Sequence, residues 1–164
     1  MTASHIVVRA GQVTDAAVLR EIRCESLLDS PRAYGSRYTE VAVQPLSYWR
    51  SLLRRRHYFI AFTGNEVVGM LCVDAYEHEG TSFPGIYSMF VRPAHRGRHV
   101  ASLLIDAGKS YVRAKGENSL FLDVVEGNER AIAFYRREGF NPVGTHRAMT
   151  SDTERQLITM MCHL

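Results

Sequence analysis

Three arginines and two histidines crowd around Gly97 in the stretch FVRPAHRGRHVASLLIDAG, residues 90–108, and an apolar helical pattern begins directly after them. Arg92, His95, Arg96, Arg98 and His99 thus put positive charge at the mouth of a helix. The first backbone N–H groups of a helix have no intrahelical partner, and their dipoles favour an anion. Arg96 and Arg98 add charge-assisted donors for phosphate oxygens. Gly97 lets the chain turn tightly, and the small Ala101 allows a ligand close to the backbone. The pattern fits a phosphate site; it also fits a solvated basic loop ahead of a surface helix.

A second pair stands downstream. Asn128 and Tyr135 are two helical turns apart, so one helix face can present both. Asn128 offers an amide to a peptide-like ligand, or caps the helix. Tyr135 offers a phenol with an ordinary pKa near ~10, or packs into the core.

The elements that must hold these groups follow from periodicity. HIVVRA reads as a strand ended by Gly11, and Thr14 or Asp15 can cap a helix carrying Ala17, Leu19, Ile22, Leu27 and Leu28. DSPRAYGSRY reads as a loop, and Pro45 opens a helix over LSYWRSLLRR. HYFIAF and EVVGMLCVDAY form a hairpin around TGNE, and GIYSMFV is a third strand that stops before Pro93. Val100, Leu103, Leu104, Ala107, Tyr111 and Ala114 then share one helical face, with Gly116 as the end signal. SLFLDVV returns to strand, and GNERAIAFYRREGF is a helix between Asn128 and Gly139. PVGTHRAMT and RQLITMMCHL close the chain as strands joined through SDTE.

That order gives about seven strands and about four helices. The strand–helix–strand run from Ile86 to Val125 demands a local parallel pair, and the hairpins demand antiparallel pairing elsewhere. The expectation is an α/β (α+β) fold in one domain over 1–164, with a mixed central sheet and helices on its faces.

Composition narrows the function. The 164 residues are 46% hydrophobic and 23% charged, with a net charge of +3. That charge suits an anionic ligand but is too mild to imply nucleic acid. Cys24, Cys72 and Cys162 form neither an even framework nor a C-x-x-C pair, so no disulfide scaffold, no metal site and a reducing, cytoplasmic setting are expected. The start MTASHIVVRAG lacks the apolar core of a signal peptide, and no run is long enough to span a membrane.

Taken together, a strand ending in V-R-P, then R-G-x-x-x-A, an amphipathic helix, a strand, and N-x-x-A-x-x-F-Y-x-x-x-G-F resembles the GNAT superfamily of acyl-CoA-dependent N-acetyltransferases. The resemblance is firm over Ile86–Phe140. The family's phosphate motif is Q/R-x-x-G-x-G/A; here it reads Arg96-Gly97-Arg98-His99-Val100-Ala101, with His99 in place of a glycine. The resemblance implies a splayed parallel pair whose backbone at Met89, Phe90 and Val91 bonds the pantetheine arm. It implies that Arg96, Gly97, Arg98, His99, Val100, Ala101 and Ser102 hold the pyrophosphate of acetyl-CoA. Asn128 would contact pantetheine, and Tyr135 would lie near the thioester sulfur as general acid.

The implied reaction is direct acetyl transfer in a ternary complex to a primary amine of a small molecule or peptide. Tyr34 and Tyr38, in the loop that borders the acceptor site in similar enzymes, and Glu77 are the candidate acceptor contacts. No carboxylate stands on GIYSMFV, so the base falls to Glu77, His78, Glu79, Glu126 or a chain of waters. Cys72 is the remaining candidate for an acyl-enzyme. Arg54, Arg55 and Arg56 read as a solvated helix end, Trp49 as packing, and Met160, Met161 and Leu164 as core or as a homodimer contact. A non-catalytic acyl-CoA sensor is the alternative function.

Overall fold

Apolar residues alternate through residues 57–91, and that alternation builds the spine of the molecule. In the computed structural model, which describes residues 5–144, 147–149 and 152–164, β1 (Ile6–Ala10) pairs antiparallel with β2 (His57–Thr63), β2 with β3 (Glu66–His78), and β3 with β4 (Thr81–Val91). Strand β4 lies parallel to β5 (Ser119–Val125). Two short segments, β6 (Asn141–Pro142) and β7 (Arg147–Met149), pair with β8 (Asp152–His163), which in turn runs antiparallel to β5. The sheet is therefore mixed, as the periodicity predicts. The single strand expected over PVGTHRAMT is divided into β6 and β7. Thr145, His146, Thr150 and Ser151, which belong to that strand and its turn, lie outside the described residues.

Because side chains alternate across a strand, the sheet has two apolar faces, and each is covered by helices. One face brings Ile60, Met70, Cys72 and Phe90 against Leu19 and Ile22 of α1 (Ala16–Asp29). A one-turn α2 (Tyr38–Val41) follows, and α3 (Leu46–Arg55) adds Trp49 and Leu53 to the same core. The other face sets Phe59, Leu71, Leu120 and Leu122 against α4 (Val100–Ala114) and Ile132 of α5 (Glu129–Arg137). Among the described residues five α-helices stand where about four are expected, because one turn of helix forms between the end of the stretch read as loop and Pro45.

Four other local expectations are corrected. In α1 the buried stripe is Ala16, Leu19, Ile22, Ser26 and Leu27, while Leu28 is 62% exposed. The Asp15 carboxylate does not cap α1; it accepts from the Gln12 N–H and pairs with Arg9 at 2.7 Å. In α4 the buried line is Val100, Leu104, Gly108 and Val112, with Ile105 beside it, and Leu103 turns outward. Strand β4 also begins four residues earlier than Gly85. Its Pro84 sits opposite Ala75 before the β5 pairing starts, where a missing N–H disturbs only an edge.

The feature that matters for function is the contact between β4 and β5. They register only at Gly85 with Phe121 and Ile86 with Leu122. Directly afterwards β4 carries a bulge: Tyr87 faces Cys72 and Phe90 faces Met70, so two residues on β4 oppose Leu71 alone. Ser88 takes up the extra length in the left-handed region, at φ 54°. A bulge bends and twists its strand, and beyond Ile86 β4 stays with β3 and leaves β5. The splay of the parallel pair opens a cleft into the sheet.

Candidate functional site

That cleft has a volume of about 880 Å³ and runs from the start of α4, past the β4–β5 gap, to the carboxyl-terminal half of α1 and the loop after it. At one end, a 3-10 turn over Pro93–His95 leads to Gly97 at φ 74° and His99 at φ 63°. Both residues use the left-handed region, which glycine enters freely and histidine enters at a cost of about 1 kcal/mol. The position where the phosphate motif has glycine is thus the position where the backbone wants one. His99 adopts the same turn, so the substitution keeps the loop's shape.

The donors of this loop are free. Arg96 N–H bonds Pro93 C=O at 3.3 Å and Leu103 N–H bonds His99 C=O at 3.0 Å; the N–H groups of residues 97–102 between them engage no acceptor among the described residues. Gly97 and the first turn of α4 line the cleft. Val100 is buried, Ala101 and Ser102 are half-buried, and the Ser102 hydroxyl donates to Glu138 of the segment after α5 at 2.7 Å. Arg98 and His99 are exposed. Arg96 behaves differently. Its guanidinium donates to Val91 C=O at 3.0 Å, pairs with Asp29 at 2.7 Å and lies over the Phe90 ring. It fastens the loop to the ends of β4 and α1 while still lining the cleft.

Midway along the cleft, Met89, Phe90 and Val91 contribute backbone, since the Phe90 and Val91 side chains are buried. Tyr34 donates its hydroxyl to Met89 C=O at 2.6 Å, and burial pushes its phenol up to about 12. Asn128 caps α5, its side-chain oxygen accepting from Ala131 N–H at 3.4 Å, and its amide NH₂ is left for another acceptor. Tyr135 lines the same cleft, packed edge-on to Phe140, with no hydrogen-bond partner among the described residues. Burial raises its pKa, and nearby Tyr34 adds to the shift.

Two of the expected acceptor contacts lie elsewhere. Tyr38 stands on α2 beside Ala17, Cys24 and Leu46, and Glu77 is exposed on the β3–β4 hairpin opposite Ser82. Cys72 is fully buried on β3, and burial pushes its thiol up to about 12, which removes the thiolate an acyl-enzyme needs. Sequence reasoning passed over Asp123, a lone acid in the apolar run SLFLDVV, which lines the cleft. One of its oxygens accepts from Tyr76 at 2.7 Å and Thr159 at 2.8 Å, and the other pairs with Arg147. Arg23 and Tyr87 also line this end and were not singled out. Among the described residues no cluster of His, Cys, Asp or Glu is arranged to hold a metal ion, and no helix is long and apolar enough to cross a membrane.

Known proteins share this fold. The model of the acetyltransferase (GNAT) family matches residues 19–140. N-alpha-acetyltransferase 30 of Schizosaccharomyces pombe is 28% identical over 83 residues, which is 50% of this chain and 55% of that protein, so the chain spans about half the length of this curated relative. Among solved structures, a GNAT-family acetyltransferase of Streptococcus pneumoniae superposes with a TM-score of 0.81 at 16% identity, covering 98% of this chain and 99% of that one. The yncA protein of Salmonella typhimurium, solved with its cofactor acetyl-CoA, gives a TM-score of 0.75 at 18% identity, covering 98% and 95%.

Proposed function

Since this chain belongs to the GNAT family of acetyltransferases, we propose that it moves an acetyl group from acetyl-CoA to the primary amine of a small molecule or peptide, by direct attack within a ternary complex. The observation that carries the reading is the row of unengaged N–H groups at residues 97–102, which opens into the same cleft as Tyr135. Free amides at a helix start suit an anion such as a diphosphate. Acetyl-CoA would supply the activated thioester.

The protein's own groups divide the remaining work. Residues 97–102 hold the diphosphate through backbone N–H groups, with Arg98 adding charge and His99 a ring N–H from the exposed side. Arg96 holds the loop itself. The backbone of Phe90 and Val91, the free lone pair of Met89 C=O and the Asn128 NH₂ receive the pantetheine arm. A backbone N–H near Phe90 or Val91 stabilises the developing oxyanion. Tyr135 donates a proton to the departing sulfur; its raised pKa keeps it protonated at neutral pH.

An alkyl amine, with a pKa near ~10, must lose a proton before it attacks. The carboxylates lining the cleft are Asp123 and Glu138, and both are already hydrogen-bonded. Water in the cleft therefore carries that proton to solvent. Calorimetry with coenzyme A and thiol release from acetyl-CoA across a panel of amines test the reading, and absence of coenzyme A binding would refute it. The lack of an unengaged carboxylate among the described lining residues favours one second reading, a non-catalytic acyl-CoA sensor. Binding without thiol release across the whole panel would select it.

A further inference from the structure

The end of the cleft beyond Tyr135 is lined by three arginines, and their pairing differs. Arg56 is joined to Asp74 at 2.9 Å, and Arg147 is joined to Asp123. Arg23 has no carboxylate partner among the described residues. It sits on the buried side of α1, one turn after Leu19 and one turn before Ser26, and its guanidinium reaches only the Ser26 hydroxyl, at 3.4 Å. It stacks 4.8 Å from the centre of the Tyr34 ring, and Tyr34 in turn bonds Met89 C=O on the splayed strand. The titratable groups around it are Tyr34, Tyr58, Cys72, Tyr48 and Cys24, none of them a carboxylate, and burial lowers its pKa. Arg23 is half-buried, and a partly desolvated guanidinium gains from an anion that meets it. Arg130 and Arg137 line the cleft from α5; of Arg23, Arg56 and Arg147, Arg23 alone has no carboxylate partner among the described residues.

We infer that Arg23 is the binding site for an anionic group on the acceptor, so that the substrates of this enzyme are amines that also carry a carboxylate. The inference rests on the transferase reading above. A carboxylate is the group that matches the planar guanidinium in two parallel hydrogen bonds. Placed on Arg23, it anchors the acceptor beside Tyr34, one ring's width from the strand where the thioester would be held. The cofactor's phosphates are accounted for at the opposite end of the cleft, by the amides of residues 97–102.

The test compares matched acceptors on the unmodified protein. Thiol release at saturating acetyl-CoA is measured with a library of free amino acids and with their primary amides, which keep the amine and lose the charge. The best acceptor should be a free acid, with kcat/KM on the order of 10- to 100-fold above its amide, the range set by one charged hydrogen-bonded pair. Arg23→Gln should erase that preference by raising KM for the acid, while acetyl-CoA affinity measured by calorimetry holds. Arg23→Lys should restore part of it. Equal or better turnover of the amides, or no turnover of any carboxylate-bearing amine while acetyl-CoA still binds, overturns the assignment. Thiol release from neither the acids nor the amides, with acetyl-CoA still bound, would also select the sensor over the transferase. Loss of acetyl-CoA binding in the unmodified protein would overturn both readings.

Discussion

At Tyr135 a raised pKa coincides with a hydroxyl that has no partner among the described residues, in the same cleft as the amides of residues 97–102, which also have none there. Tyr135→Phe removes the proton donor and little of the packing against Phe140. It should lower kcat by about 100-fold or more and leave acetyl-CoA affinity within about twofold. Steady-state kinetics beside calorimetry check this, and unchanged turnover when chemistry limits the rate would remove Tyr135 from the acid role. The pH dependence follows from the same pKa. A phenol raised above ~10 is lost as a donor only as pH climbs through that higher value, whereas the amine acceptor gains reactivity as pH rises towards ~10. The value of kcat/KM should therefore rise steadily between pH 6 and 9. His99 makes a different prediction. Its φ of 63° costs what glycine would not, so His99→Gly should raise Tm by about 2–4 °C in a thermal melt.

The elements of the sheet decide where the cleft opens. Gly85 is the first β4 residue paired with β5, and a Cβ built there would lie 2.6 Å from Cβ of Tyr76. Gly85→Ala must move Tyr76 or the strand. We expect a loss of about 1–3 kcal/mol in urea unfolding, with reduced activity, because Tyr76 also holds Asp123 at the cleft wall. Helix α4 offers a sharper contrast between adjacent leucines. Leu104 is fully buried and Leu103 is 38% exposed. Leu104→Ala should cost roughly 2–5 kcal/mol and Leu103→Ala well under half of that. The apolar periodicity from Val100 places both on one face; the structure separates them, because the sheet meets the line through Val100, Leu104, Gly108 and Val112.

Across the whole molecule, ion pairs tie segments together at places the phosphate loop depends on. Arg96 links that loop to Asp29 at the end of α1, and Arg9 of β1 holds Asp15 at its start. The Arg9 guanidinium lowers the Asp15 pKa, and the Ser30 hydroxyl and then Arg96 lower that of Asp29. A carboxyl whose pKa is lower in the folded state stabilises the fold above its unfolded pKa, near ~3.9, and that stability is lost as pH falls through the folded value. Urea midpoints should therefore be flat near neutrality and drop below about pH 4. Asp15→Asn should lower the neutral plateau and soften the acid drop.

Residue periodicity alone established the mixed sheet, the two helical faces and the basic turn before α4, because those signals are local: an alternation of two or 3.6 residues survives without knowledge of neighbours. The family resemblance over Ile86–Phe140 rests on the same short-range spacing. What only tertiary structure decided lies between segments far apart in the chain. Tyr34 and Tyr38 look equivalent in the loop, yet one bonds Met89 and lines the cleft and the other faces away. The sequence does not show that Arg96 also pairs with Asp29, 67 residues away. Arg23 and Asp123 gain their meaning from partners, or from the lack of one, brought in by other strands and helices. Which charge is neutralised and which is left for a ligand depends on distances through space, and the order of residues does not contain them.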